Sequence, residues 1–309
     1  MVIGENVVPV DGYRGNGHSA DRFLLRTLEA YAEEADDGRG GVVIQQSTED
    51  ADAEVWNLVY SDPRAADLVQ SGRLGFELKL GQGAKPGLGG MTLVSEESAT
   101  RLQGRYRKEE LAGLGPGQIL RVATPGTFTE EILRSQVRLM RNNFPLCRTW
   151  IKLPPGHDVA FAAAVGWGAG ADAVVVDGAE GGTGLAPLAF LEHVGLPLAE
   201  CMARIKPGDE CLCVSGRVWE GARALKCLAL GARAVGLGRA VLLAVDEDPE
   251  AGLDNLVEAL DFELRLLVSA LGKYSVAEVG KEDLWLESDR SGKFGLGVDE
   301  RDASVEGHG

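Results

Sequence analysis

Two loops concentrate the residues best suited to chemistry: Val214-Ser215-Gly216-Arg217 and Gly236-Leu237-Gly238-Arg239, about twenty residues apart. A phosphate needs several N–H donors aimed at one point, with no Cβ in the way. Glycines after two strands, with a helix beginning beside them, meet that need. Ser215, Gly216, Arg217, Gly238 and Arg239 are therefore the candidate cradle. Tight strand-to-helix turns would use the same glycines, but two such loops together favour an anion site. The run Gly181-Gly182-Thr183-Gly184 lets backbone approach a flat ligand closely, and Thr183 adds a hydroxyl; a plain turn is the alternative. Lys152 lies near the end of an apolar segment, where an ammonium is costly unless it meets an anion. Lys79 and Lys85 flank a glycine-rich run and read equally as ligand contacts or as solvated surface lysines. His157 is a candidate proton donor, with a loop histidine packed for structure as the simpler account. His193 reads as structural. Cys211 and Cys213 point the same way along one strand without a second pair at zinc spacing, which suits core thiols better than metal ligands.

Those residues need a frame. The chain alternates short β-branched runs with helical stretches, the pattern of a parallel sheet with crossover helices. Candidate strands are Val7 to Val10, Val42 to Ile44, Phe76 to Leu80, Ile119 to Ala123, Thr149 to Leu153, Ala173 to Asp177, Cys211 to Ser215 and Ala234 to Leu237. Helices are expected at Ala20 to Glu34, Glu130 to Asn142, Asp158 to Trp167 and Trp219 to Leu230, and a further one begins after Arg239. Thr92 to Gly117 is polar and irregular and is expected to lie over one end. Eight strands of this kind predict an α/β fold: a single (β/α)8 TIM barrel with an additional C-terminal helix over about Leu253 to Leu271. Residues 1–289 form that unit, and 290–309 read as a flexible tail. In such a barrel the chemistry sits at the carboxyl ends of the strands, where every candidate above falls. Tyr13 and Arg14 join them by position alone.

Composition bounds the partners. Acidic residues outnumber basic ones 47 to 31, a formal charge of −16 over 309 residues. A field of that sign repels phosphate backbones and anionic lipid, so neither nucleic acid nor membrane is an expected partner. No apolar run is long enough to span a bilayer, and the first residues lack the pattern of a signal peptide. Five scattered cysteines, an odd number, suit a reduced, cytoplasmic protein. An oligomer is expected.

The run Gly81-Gln82-Gly83-Ala84-Lys85-Pro86-Gly87-Leu88-Gly89-Gly90 resembles the signature of the FMN-binding barrel of glutamate synthases, and is similar to the barrel subunit of methylglutamate synthase. The likeness continues through WIKLPPG, GADAVVVDGAEGGTGLAP, LEHVGLP and VSGRVWEGARALKCLALGARAVGLGRAVLLA, and so covers Ser71 to Leu243. It implies FMN, with its phosphate at Ser215, Gly216, Gly238 and Arg239 and its ring near Lys152, Gln82 and the loop after the first strand. Reduced flavin carries negative charge about its N1–C2=O edge, so Lys152 would stabilise it. In that family an imine, made from a 2-oxo acid and an amine or ammonia, is reduced by hydride from FMN. The resemblance makes Lys79 and Gln82 candidates for recognising carboxylate and amide. It implies a glutamate-synthase-type oxidoreductase acting on a small anionic amino acid or 2-oxo acid; without an in-chain cluster or glutaminase domain, a separate electron-donor subunit is expected, and ammonia from solution or from a separate subunit. The family's iron–sulfur cysteines after the last strand are replaced by Ala244-Val245-Asp246-Glu247-Asp248-Pro249, and the loops after the first two strands differ. Those departures shift expectation away from 2-oxoglutarate and towards a specialised substrate. They also leave open a non-catalytic barrel subunit of an amidotransferase-like complex, or a flavin enzyme with no net redox change.

Overall fold

The computed structural model describes residues 1–3, 19–35, 40–47, 54–81, 83, 91–96, 107–109, 116–122, 129–181 and 188–285. Its centre is a parallel sheet of seven strands: β1 (Val2–Ile3), β2 (Val42–Ser47), β3 (Leu74–Lys79), β7 (Arg148–Leu153), β8 (Ala173–Asp177), β9 (Leu212–Ser215) and β10 (Ala234–Gly236), paired in that order. The helices between them include α1 (Ser19–Glu34), α2 (Glu54–Ser61), α3 (Ala66–Gln70), α4 (Glu130–Asn143), α5 (Val159–Ala169), α6 (Leu188–His193), α7 (Leu198–Ile205), α8 (Gly221–Ala229) and α9 (Arg239–Glu247). A last helix, α10 (Gly252–Ala270), follows as expected from its apolar spacing. The sheet is curled. Val2 at one edge and Val235 at the other line the same cavity.

Period-two alternation divides the work of each strand. Ile44, Phe76, Leu78, Ile151, Val174, Val176, Leu212 and Val214 turn outward into one core shared with the helices. Phe76 is held there by Phe144, with ring centroids 4.7 Å apart, and by Trp56 at 5.5 Å. The alternate residues Gln45, Glu77, Trp150, Lys152, Val175, Asp177, Cys213 and Ser215 line the concave side. Packing of the outer face thus fixes the direction of every inward side chain.

The expected fourth barrel strand is a strand of a different sheet. β6 (Gln118–Val122) pairs antiparallel with β4 (Met91–Ser95) and β5 (Arg107–Glu109), while β3 pairs directly with β7. A strand buried on both faces reads as a continuous apolar run, whereas Gln118-Ile119-Leu120-Arg121-Val122 carries a glutamine and a cation. The segment Thr92 to Gly117, read as irregular, supplies both of its partner strands. The candidate strand Val7 to Val10 and the tail 290–309 lie outside the described residues.

α10 packs on α8 and α9, and Glu263 accepts from the Gly221 and Ala222 N–H groups at 2.6 and 3.1 Å, capping α8. At Gly252 a Cβ would collide with the Ala244 carbonyl of α9. Backbone cannot give way as a flexible side chain can, so Gly252→Ala is expected to cost about 3 kcal/mol. The check is a lowered urea midpoint at unchanged m-value.

Candidate functional site

A cavity of about 390 Å³ opens on the concave side of the sheet. Its wall is polar where the strands end. Lys152 Nζ stands 3.1 Å from Asp177 Oδ2, with side chains only 17% and 11% exposed. Asp177 Oδ1 accepts the Ser215 hydroxyl proton. The strand register brings them together: Lys152 lies beside Val175, and Asp177 beside Ser215. Neither charge could remain at such burial unpaired. Deeper on the same wall, Glu77 is 1% exposed. Its Oε1 accepts from Gln45 Nε2 on β2, and its Oε2 has no hydrogen-bond partner among the described residues. Burial pushes the Glu77 carboxyl up, against the pull of Lys152 and Gln45.

The rim is built by the loops after β8, β9 and β10. Gly216 has φ +140°, and a Cβ there would sit 3.1 Å from the Gly178 nitrogen, so glycine is what lets these two loops meet. Arg217 follows in the left-handed region at φ +52°. Arg217 and Arg239 each place a guanidinium carbon 6.0 Å from the Trp219 ring centroid. Arg239 Nη2 also donates to the Glu180 carbonyl at 3.3 Å. The Glu180 carboxylate is held by Arg223 at 2.8 Å and by the Leu198 N–H at 3.0 Å. Gly238 caps α9, and a Cβ there would meet nothing within 4 Å. The first-turn N–H groups of a helix have no intrahelical acceptors. Two guanidinium groups, a helix N-terminus and an uncrowded glycine therefore converge where a phosphate would fit.

Of the residues singled out in the sequence, Lys152, Gly181, Ser215, Gly216, Arg217, Gly238 and Arg239 all line this cavity. Ser215 turns its hydroxyl proton to Asp177, so its contribution at the rim is limited to backbone and lone pairs. Lys79 ends β3 in register with Lys152 and is half-buried, but does not line the cavity. His157 is not brought to the site. It is exposed in the turn before α5, and its carbonyl is held by Arg204 Nη1 at 3.2 Å. His193 is exposed beside Glu192. Gln82, Lys85, Gly182, Thr183, Tyr13 and Arg14 lie outside the described residues.

Sequence reasoning missed Asp177, Glu77, Gln45, Glu180 and Trp219. For Glu77 a signal existed: a charge inside the apolar strand Phe76-Glu77-Leu78, the same cue that picks out Lys152. The cysteines behave as core thiols. Cys211, just before β9, and Cys213 within it have Sγ atoms 4.0 Å apart. Burial pushes the Cys147 and Cys213 thiols to about 12 and Cys201 to about 11. At pH 8 no more than about one in a thousand of these would be thiolate. Iodoacetamide is accordingly expected to leave Cys147, Cys201 and Cys213 unlabelled in the folded protein and to label them in urea, as read by mass spectrometry.

Among the described residues no helix is long and apolar enough to cross a membrane. The conserved region in glutamate synthase matches residues 64–247, more than half of the chain. The archaeal glutamate synthase (NADPH) of Methanocaldococcus jannaschii is 29% identical over 292 residues, covering 77% of this chain and 54% of its own length. A glutamate synthase large subunit-like protein of Rhizobium meliloti is 33% identical over 208 residues, covering 61% of this chain and 42% of its own. The chain thus spans about half the length of the curated relatives it matches. Among solved structures, a flavocytochrome b2 double mutant with pyruvate bound aligns with 91% of this chain and 63% of its own, at TM-score 0.56 and 20% identity. That likeness carries the fold alone. The family match and the order of the site loops agree: the chain belongs to the glutamate synthase family.

Proposed function

We propose that this chain is an FMN-dependent oxidoreductase acting on the C–N bond of a small anionic amino acid or imine, with the curled sheet closing into a barrel within residues 1–289. The observation that carries the reading is a cationic rim, Arg217 and Arg239 beside Trp219, lining the same cavity as the little-exposed Lys152. The cavity volume lies within the range of about 300–1,000 Å³ usual for small-molecule sites. Its donors suit a dianionic phosphate at one end and a ring carrying negative charge at the other.

FMN bound here would supply hydride chemistry. The chain's own part is binding, orientation and electrostatics. Gly216, Gly238 and the start of α9 leave room for phosphate oxygens against N–H groups, and Arg217 and Arg239 neutralise them. Lys152, held by Asp177, presents a fixed positive charge to the ring. The apolar stretches Trp150, Val175 and Val235 exclude water from the wall. Electrons and ammonia would come from partner subunits or from solution.

The test is the visible spectrum of the purified protein, with chromatography of any chromophore released. FMN at one equivalent, together with turnover of a 2-oxo acid plus ammonium or methylamine, supports the reading. A colourless protein that takes up no added FMN overturns it and leaves a non-catalytic subunit.

A further inference from the structure

Glu77 lines the cavity without a role in holding the anion, and its buried Oε2 is the carboxylate oxygen there that has no hydrogen-bond partner among the described residues. Its surroundings define its state. From β2 comes the neutral Gln45; from its own strand, Lys79; from β7, Lys152; from β8, Asp177; from β9, the protonated thiol of Cys213. Lys152 is engaged by Asp177 at 3.1 Å, and its pull on Glu77 does not outweigh the cost of burying the charge. Gln45 satisfies one oxygen only. A buried carboxylate with an orphaned oxygen is costly, whereas a buried carboxylic acid is a donor waiting for an acceptor. Lys152 marks the anionic side of the cavity, so the acceptor belongs to the ligand's reacting end.

We propose that Glu77 is a neutral carboxylic acid and the proton donor to the ligand of this cavity. The chemical role follows from the imine-reduction reading and rests on it. With hydride supplied by a reduced cofactor, the imine carbon would gain a C–H bond and the C=N π pair would move to nitrogen. That nitrogen takes the proton from Glu77, so that one O–H bond breaks and one N–H bond forms. The Glu77 carboxylate then regains a proton from solvent.

The state of Glu77 can be tested without cofactor. At pH 7 the full chain is expected to show a protonated-carboxyl infrared band that Glu77→Gln removes. Stability gives a second reading. An acid whose folded pKa is raised binds its proton in the folded state after the unfolded chain has released it. Wild-type stability therefore falls as pH rises above the unfolded value, until the folded value is passed. Glu77→Gln is expected to remove about one proton from that slope. With FMN bound, Glu77→Gln is expected to keep the cofactor affinity within about threefold. Reoxidation of reduced FMN by the 2-oxo acid and amine mixture should slow by about a hundredfold or more. An unchanged infrared spectrum or pH slope in Glu77→Gln overturns the neutral acid. Unchanged reoxidation overturns the donor role. Failure of wild type to bind FMN counts against the flavin reading instead, and the infrared and stability results still decide the state of Glu77.

Discussion

Replacing Arg217 and Arg239 together by alanine is expected to weaken FMN binding by about a hundredfold and to leave riboflavin binding almost unchanged. In the proposed phosphate site each guanidinium would contribute a charge-assisted hydrogen bond, and at an exposed rim about 1.5 kcal/mol apiece, or roughly tenfold, is reasonable. The two arginines reach the rim from different loops, and the Trp219 ring lies 6.0 Å from both. That shared platform limits their freedom before the ligand arrives, so less entropy is lost on binding. Trp219→Leu should accordingly weaken FMN a few-fold although it removes no charge. The overall charge of −16 makes the comparison sharper. In an acidic chain, loss of two local cations also lowers the rate of anion capture, and raised salt should shrink the wild-type advantage. Fluorescence titration with FMN and riboflavin separates the phosphate contribution from ring binding. Equal loss of both ligands would mean that the rim had collapsed rather than lost its phosphate contacts.

What the sequence made legible was whatever depends on short local pattern. Val174, Val175 and Val176 could be read as a buried strand from composition, and Gly216 and Gly238 as loop glycines from their place after strands. Lys152 stood out because a cation in an apolar run needs a reason. Asp177 did not, because an aspartate at the end of a strand also reads as a turn residue. Its role comes from register, which sets it beside Ser215 and within reach of Lys152. Glu77 needed knowledge of which face of β3 points inward, and that is decided by Phe76 and Leu78 packing against distant Phe144 and its neighbours. His157 follows Lys152 by five residues and looks adjacent in sequence. The turn through Pro154 and Pro155 carries it away to the α5 side, where Arg204 holds its carbonyl. The reassignment of β6 has a similar origin: Gln118–Val122 has strand propensity, but propensity does not choose a partner.

Lys152→Met is expected to lower turnover by about a hundred- to a thousandfold, the usual effect of removing one preorganised electrostatic group from a reacting centre. Methionine keeps most of the stem, so packing against the wall is preserved and the change isolates the charge. If Lys152 faces the flavin ring as proposed, bound FMN should become harder to reduce, because the cation that would offset charge on the reduced ring is gone. A stability cost accompanies this. Asp177 keeps the Ser215 hydroxyl but loses its counter-charge at 11% exposure, and breaking such a pair from one side costs about 3 kcal/mol. The double substitution Lys152→Met with Asp177→Asn removes the stranded charge, and should recover most of the stability while leaving turnover and midpoint potential low. That pattern would separate the structural role of Lys152 from the proposed catalytic one, since folding would depend on the pair being balanced and catalysis on the ammonium itself. Asp177→Asn alone completes the cycle. It should lose stability, because Lys152 is then the unpaired charge, yet keep or raise the potential, because the cation facing the ring is no longer partly neutralised. A potential unchanged in Lys152→Met would place the flavin ring elsewhere in the cavity and leave the ion pair a structural one.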